Sequence, residues 1–230
     1  AGAARELREQ KRKEQAAYEK RMKDRRHLFR PLTGFGFGPL TFVLICLSVV
    51  VFFLTKFGAD RHAMLPFYIS EYDVTGGGLA RLTEGLPEIK HGEIWRLITP
   101  IFLHANFLHI FFNMLWLRDL GSMIEARRGA LTFAILVLVF AVVSNLSQYL
   151  VSGPDFVGMS GVVYGLLGYS WICGKLYPGS GLFVHPTTMT MMFIWLVIGF
   201  TGILGTANTA HLSGLLIGII AGYLASLRHH

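Results

Sequence analysis

The chain has 230 residues, of which 53% are hydrophobic and 15% charged, and 18 of them are Phe. Soluble domains rarely have this composition, and several apolar runs approach the ~20 residues that cross about 30 Å of hydrocarbon. The formal charge of +7 does not indicate a nucleic-acid partner, because residues 1–30 hold eleven Lys and Arg against five acids and the rest is nearly balanced.

The composition predicts an all-α polytopic membrane protein with the lipid bilayer as its partner. Only helices and closed barrels satisfy the backbone in lipid, and the apolar runs show no period-two alternation. The two cysteines, Cys46 and Cys173, both lie inside apolar runs and are expected to be small buried residues, not a disulfide or metal pair.

Residues 1–30 are predicted to form a basic cytoplasmic N-terminal arm that lies against an anionic leaflet. Charged residues at helical spacing over 5–26 favour a solvated or membrane-skimming helix, and a regulatory arm is the alternative. Residues 31–39 form a Gly- and Pro-rich linker. At the far end, the pair 229–230 resembles the remnant of a purification tag and is given no role.

Between these ends, residues 40–228 are predicted to form a core of six transmembrane helices. A long loop of mixed charge separates the first two spans. The expected spans are 40–55, 106–124, 131–151, 160–174, 189–204 and 210–227.

The positive-inside rule predicts that both termini lie in the cytoplasm. This orientation places Arg127, Arg128, Lys175 and Arg228 inside, although the long first loop carries Lys and Arg interleaved with acids. Spans two, four and six then enter from the outer face. Their N-terminal ends therefore lie at one level, in the outer half of the membrane.

Ser160 begins the fourth span, between Gly158 and Gly161. Membrane serines usually bond back to a carbonyl or join helices. Here the flanking glycines would let a substrate backbone approach closely, and a helix N-terminus offers N–H groups to an oxyanion. The span of fifteen residues covers only ~22 Å, which implies that Ser160 lies below the outer surface. These features indicate a nucleophile.

His211 lies at the start of the sixth span, where an ionisable residue is costly and indicates function. Gly214, Gly218 and Gly222 share its helix face, and the fourth span has a similar stripe. Small-residue faces let helices approach closely, which would bring His211 to Ser160 as a general base.

No acid follows Asp155, so a full triad is not expected. Val162 stands where the α/β-hydrolase elbow requires a second glycine, which excludes that fold. A dyad remains, and Tyr164, one turn after Ser160, is the candidate that packs on the imidazole.

In the second span, His109 and Asn113 lie four residues apart on one face. Four-residue spacing also occurs in metal sites, but the second residue here is Asn and no Glu stands beside the pair. We therefore expect oxyanion donors. No metal and no cofactor are expected.

These residues together resemble the rhomboid family of intramembrane serine proteases, in its compact bacterial six-helix form. The resemblance covers about residues 40–227, and the basic arm is not part of it. The matching motifs are Trp95-Arg96, His104…His109…Asn113, Glu125-x-Arg127, Gly158-x-Ser160-Gly161…Tyr164 and Ala210-His211…Gly214…Gly218.

The resemblance implies an endopeptidase with Ser160 as nucleophile and His211 as general base. His109 and Asn113, together with Gly158, are expected at the oxyanion site. It also implies that the fifth span and the following loop, 205–209, act as a gate, with Phe193 and Trp195 as gate aromatics. Single-span transmembrane proteins are the expected substrates, and the bacterial inner membrane is the expected location.

Two other classes of function are considered. A catalytically inactive rhomboid-like protein that binds membrane clients would lack the serine or the histidine, and both are present. A proton-coupled transporter or channel would use His109, Asn113 and His211 as a relay. No intramembrane acid and no internal repeat support that reading.

Overall fold

A computed structural model describes residues 6, 9–16, 37–75, 78–81, 85–201 and 206–227. Most of the predicted arm, the linker up to residue 36, Gly205 and residues 228–230 lie outside the described residues. Within the arm, residues 9–16 are helical and exposed, and Lys13 pairs with Glu9 at 3.1 Å.

The described core is a bundle of helices. Five of the predicted apolar segments each contain one helix, and the second contains two. A π-helical segment, Leu117–Gly121, joins α2 to α3 without a break. The helices are α1 (Pro39–Leu54), α2 (Phe107–Trp116), α3 (Ser122–Arg128), α4 (Ala130–Ser152), α5 (Ser160–Leu176), α6 (Pro186–Gly199) and α7 (Asn208–Leu227).

Two helices of the described residues, α4 with 23 residues and α7 with 20, are long and apolar enough to cross a membrane. The apolar helices α1 and α6 are shorter, with 16 and 14 residues. At 1.5 Å per residue, α6 covers only about 21 Å.

Several predicted boundaries were wrong. The second segment continues to Arg128 instead of 124, and α5 continues to Leu176 instead of 174. In both helices the last turn carries basic side chains, which interact favourably with the carboxyl end of a helix.

The fifth segment lies earlier in the chain than predicted, at Pro186–Gly199 instead of 189–204. Pro occupies the first position of α6, and the His185 side chain accepts the Thr187 N–H as a cap. At the other end, the Gly199 carbonyl accepts a hydrogen bond from Asn208 Nδ2 at 2.8 Å. In a longer helix, this carbonyl would accept a hydrogen bond from a backbone N–H of the helix, and here the Asn208 side chain donates it instead.

The loop after α1 holds the one departure from an all-helical fold in the described residues. A short antiparallel hairpin pairs β1 (Tyr72–Thr75) with β2 (Gly78–Arg81). Single helical turns at Arg61–Met64 and Pro87–Lys90 flank it. The buried Arg96 organises this loop by donating to the carbonyls of Leu65 and Tyr68 and by pairing with Glu71 and Glu93.

Glu125 joins α3 to the beginning of α1. Its buried carboxylate accepts hydrogen bonds from the backbone N–H groups of Leu40 and Thr41, at 2.8 and 2.9 Å, and from the Thr41 hydroxyl. A carboxylate at a helix N-terminus satisfies unpaired donors and stabilises the helix dipole. The contact fixes one end of α1 against the bundle.

Helix α5 is the centre of the bundle, since residues 161–170 are all buried. Its contact with α7 is made backbone to backbone. A Cβ added to Gly214 would lie 2.1 Å from the Gly161 carbonyl oxygen, and one added to Gly218 would lie 2.0 Å from that of Gly165. Only glycine permits this approach, so the two stripes set the distance between the helices.

Candidate active site

The N-terminal ends of α5 and α7 bring Ser160 and His211 together. Ser160 is the first residue of α5 and His211 lies in the first turn of α7. The Ser160 Oγ and His211 Nε2 atoms are 2.7 Å apart, which is hydrogen-bond distance. Gly161 follows Ser160 directly, and Gly214 lies one turn after His211. Because these two glycines are in contact, they fix the distance between Ser160 and His211.

His211 is held by packing and not by a carboxylate. Its side chain is buried, and the Tyr164 ring lies against it with centroids 4.9 Å apart and planes tilted by 35°. Within the described part of the chain, the buried Nδ1 atom has no hydrogen-bond partner. The arrangement is a Ser–His pair in which no carboxylate of the described residues reaches Nδ1 and an aromatic ring packs against the face of the imidazole.

Tyr164 also connects the dyad to α6. Its hydroxyl donates to the Met192 carbonyl at 2.7 Å. The ring that supports the histidine is therefore tethered to the helix beside it.

Gly158 forms the side of the site next to Ser160. Its φ of +116° is a conformation that favours glycine, and its N–H donates to the Pro100 carbonyl at 3.1 Å. A Cβ at Gly158 would lie 2.6 Å from His109 Nε2 and 3.7 Å from Ser160 Oγ. The space between His109 and Ser160 is therefore open because residue 158 has no side chain.

His109 presents Nε2 to that space. Asn106 caps α2 by accepting the His109 N–H at 2.9 Å, which fixes the first turn. The Nδ1 atom accepts a long hydrogen bond of 3.5 Å from the Ala105 N–H, so we assign the ring proton to Nε2. His109 can then donate to an oxygen atom bound beside Ser160.

Asn113 is buried one turn further along the same helix. One of its amide hydrogens is used by the His109 carbonyl, at 2.8 Å, which leaves the second available as a donor. Its Oδ1 atom is buried and has no partner among the described residues.

His104 packs its ring edge-on against His109, with centroids 5.2 Å apart. Burial lowers the pKa of His104 to about 3, the nearby His109 acts in the same direction, and a hydrogen bond to the Phe102 carbonyl opposes them. His104 is therefore neutral at physiological pH and adds no charge to the site.

The two predicted gate aromatics both lie on α6. Phe193 is exposed on the outside of α6, and Trp195 packs against Phe112 of α2 at 5.7 Å. Met192 of α6 contacts the site through its carbonyl, which accepts the Tyr164 hydroxyl.

Sequence reasoning missed two polar residues of α4. Gln148 Oε1 accepts the Ala210 N–H at 3.0 Å, next to His211, and Ser144 Oγ lies against Gly161. The signal was present in the sequence, because Ser144 and Gln148 lie four apart, on one helix face, in the polar stretch 144–148 of a mainly apolar helix.

No cluster of three or more His, Cys, Asp or Glu side chains that could bind a metal ion occurs in the described ranges. What the geometry offers chemically is a serine with an adjacent base and a set of hydrogen-bond donors around one open space.

Comparison with known proteins supports the family suggested by these motifs. A family model described as the Rhomboid domain matches residues 91–228. Rhomboid protease GlpG from Yersinia pestis (strain Pestoides F) is 35% identical over 192 residues, which cover 81% of this chain and 62% of the relative. The protein of the same name from Yersinia pseudotuberculosis serotype O:3 (strain YPIII) matches to the same extent. The chain thus spans about 62% of the length of these curated relatives.

Proposed function

This chain belongs to the rhomboid family, and from that premise we propose that it is an intramembrane serine endopeptidase. It hydrolyses peptide bonds of single-span transmembrane proteins through a dyad of Ser160 and His211. The observation that carries the proposal is the 2.7 Å contact between Ser160 Oγ and His211 Nε2.

The reaction begins when His211 Nε2 takes the hydroxyl proton and Ser160 Oγ attacks the scissile carbonyl carbon. The carbonyl oxygen becomes an oxyanion, which accepts hydrogen bonds from the Ser160 backbone N–H, His109 Nε2 and the second amide hydrogen of Asn113. The backbone N–H is available because the first N–H groups of a helix have no partner within it.

His211 then gives its proton to the leaving amine, and the peptide C–N bond breaks. In the second half, water gives a proton to His211 and attacks the acyl carbon. The ester bond to Ser160 Oγ then breaks, His211 returns the proton to Oγ, and the new carboxyl end of the peptide leaves. No carboxylate bonds Nδ1 within the described residues, so the imidazole is oriented by its packing against Tyr164 and by its hydrogen bond with Ser160 Oγ.

The location of the dyad at a helix end limits which substrates can react. A peptide must reach Ser160 as extended backbone, so substrates are expected to carry helix-breaking residues near the cleaved bond. A small residue just before that bond is expected from the family. Phe193 and Trp195 are proposed gate residues on α6, through which substrate enters from the lipid.

We place the protein in the bacterial inner membrane with six spans and both termini in the cytoplasm. The distribution of Lys and Arg supports this orientation. The dyad then lies toward the outer face, because α5 and α7 both begin there.

The first test is Ser160→Ala. It removes the nucleophile and is expected to abolish cleavage of a single-span reporter substrate in liposomes, measured by the release of its fragment. Ser170→Ala is the matched control, since Ser170 is a buried serine of the same helix whose hydroxyl has no partner in the described residues. Cleavage by Ser160→Ala at the rate of the control would refute the assignment.

A fluorophosphonate probe tests the same serine without a substrate. The wild type and Ser170→Ala are expected to be labelled, and Ser160→Ala is not. An inactive client-binding protein would remain unlabelled in all three forms.

A further inference from the structure

A group of basic side chains lies at the end of α5 opposite the dyad. This basic cluster consists of Arg127, Arg128 and Lys175. Arg128 Nη2 contacts Cys173 Sγ at 3.1 Å, which joins the end of α3 to the end of α5. Arg127 lies against Gly181 in the segment that follows α5.

Arg128 is partly buried and has poor partners. Its hydrogen-bond acceptor is the Cys173 thiol, which is a weak one, and the Tyr169 hydroxyl lies nearby. The Nε atom is buried without a hydrogen bond, and no carboxylate of the described residues lies within 4.0 Å of the guanidinium. A half-buried cation without a counter-ion is costly, so an anion is expected beside it.

Within the described core, the acids nearest to Arg128 in the sequence do not supply that anion, and Asp119 pairs with Arg118. The sequence contains no acid after Asp155. Glu125, three residues before Arg128, uses both carboxylate oxygens at the beginning of α1. The N-terminal arm is itself cationic, with eleven Lys and Arg against five acids, so its net charge is repelled by the cluster.

The surroundings of the cluster match a lipid. Lys175 Nζ lies 6.0 Å from the centre of the Trp171 ring, a pairing typical of the membrane interface. Helix α4 begins two residues after Arg128, and Leu131, Ile135 and Leu138 are exposed along one face of it. Nothing lies within 4 Å of a Cβ built on Gly129, between the cations and this apolar face.

We propose that the basic cluster binds the headgroup phosphate of an anionic phospholipid whose acyl chains lie along the exposed face of α4. Basic pockets between membrane helices on the cytoplasmic side are suited to such headgroups. The site depends on the proposed membrane orientation and not on proteolysis.

The test measures lipid binding to the purified full chain in detergent by native mass spectrometry. Phosphatidylglycerol is compared with phosphatidylcholine of identical acyl chains. Arg128→Gln and Lys175→Gln are each expected to lower the preference for phosphatidylglycerol about five-fold, the effect of one cation near a headgroup. Arg61→Gln is the matched control, since Arg61 is exposed at the dyad end, and it is expected to leave the preference unchanged.

Arg128→Lys separates charge from geometry and is expected to restore most of the preference. If Arg128→Gln does not fold, the lipid preference of Lys175→Gln tests the proposal, because Lys175 is exposed and its replacement has little structural consequence. The proposal is overturned if all variants keep the wild-type preference, or if inorganic phosphate displaces the lipid completely. No peptide is cleaved in this measurement, so its failure is distinguishable from failure of the protease assignment.

Discussion

At the residue scale, the site depends on what a few positions lack. His211 has no acid on Nδ1 and instead has the Tyr164 ring against its face. Gly158 has no side chain, and this leaves open the space where a carbonyl oxygen would meet His109 and Ser160. A buried carboxylate would be costly at membrane depth, so packing replaces it.

Gly158→Ala is expected to reduce kcat 10²-fold or more. The new methyl group would lie 2.6 Å from His109 Nε2 and exclude the oxyanion from its donor. Removal of one such donor costs about 10²–10³ in rate. Cleavage of the reporter substrate in liposomes gives the measurement.

Gly153→Ala is the matched control for this change. Gly153 precedes Gly158 in the same loop and also has a positive φ, of +78°, but nothing lies within 4 Å of a Cβ there. Both variants carry backbone strain, and only one blocks the site. Equal loss of activity in the two would show that strain, and not the oxyanion space, explains the effect.

At the element scale, the distance between α5 and α7 determines whether the dyad forms. The Gly161–Gly214 and Gly165–Gly218 contacts place backbone against backbone, and a backbone atom cannot move away as a flexible side chain can. Ser144 and Gln148 of α4 support the same pair from the other side.

Gly218→Ala is therefore expected to impair activity from two turns away. A Cβ at this position would lie 2.0 Å from the Gly165 carbonyl oxygen and force the helices apart. Overpacking of this kind costs about 1–3 kcal/mol in stability. We expect a lower Tm in detergent and weaker fluorophosphonate labelling of Ser160.

Leu216→Phe is the control, since Leu216 is exposed on α7 and the added bulk points away from α5. This variant should keep the Tm in detergent and the fluorophosphonate labelling of Ser160 near the wild-type values. Normal labelling of Gly218→Ala would mean that the helix separation does not control the dyad.

At the scale of the whole molecule, helix direction places both dyad residues at one end and the basic cluster at the other. Helices α5 and α7 run parallel, and α5 separates Ser160 from Lys175 by fifteen residues, or about 22 Å. In the proposed orientation, the dyad would lie toward one face of the membrane and the basic cluster toward the other.

Cysteine labelling tests this orientation in cells. In a background with Cys46 and Cys173 changed to Ala, Asp155→Cys should react with a membrane-impermeant maleimide in intact spheroplasts. Ala126→Cys should react only after permeabilisation. Both positions are exposed. The reverse pattern would invert the topology and place the dyad toward the cytoplasm.

Local sequence determined much of this protein. Apolar runs predicted each helical segment of the core, because a helix satisfies its own backbone wherever it lies. The glycine stripes predicted that α5 and α7 would pack closely, and the motifs around Ser160, His211 and His109 indicated the family. These features depend on residues a few positions apart.

Only the tertiary structure decided what depends on distant contacts. Asn208 bonds to the Gly199 carbonyl at the end of α6, Gln148 bonds to the Ala210 N–H, and the Tyr164 hydroxyl bonds to the Met192 carbonyl. The position of Arg128 against Cys173 likewise depends on residues far apart in the sequence. Such contacts depend on which helix faces pack together. The order of residues along the chain does not specify that packing.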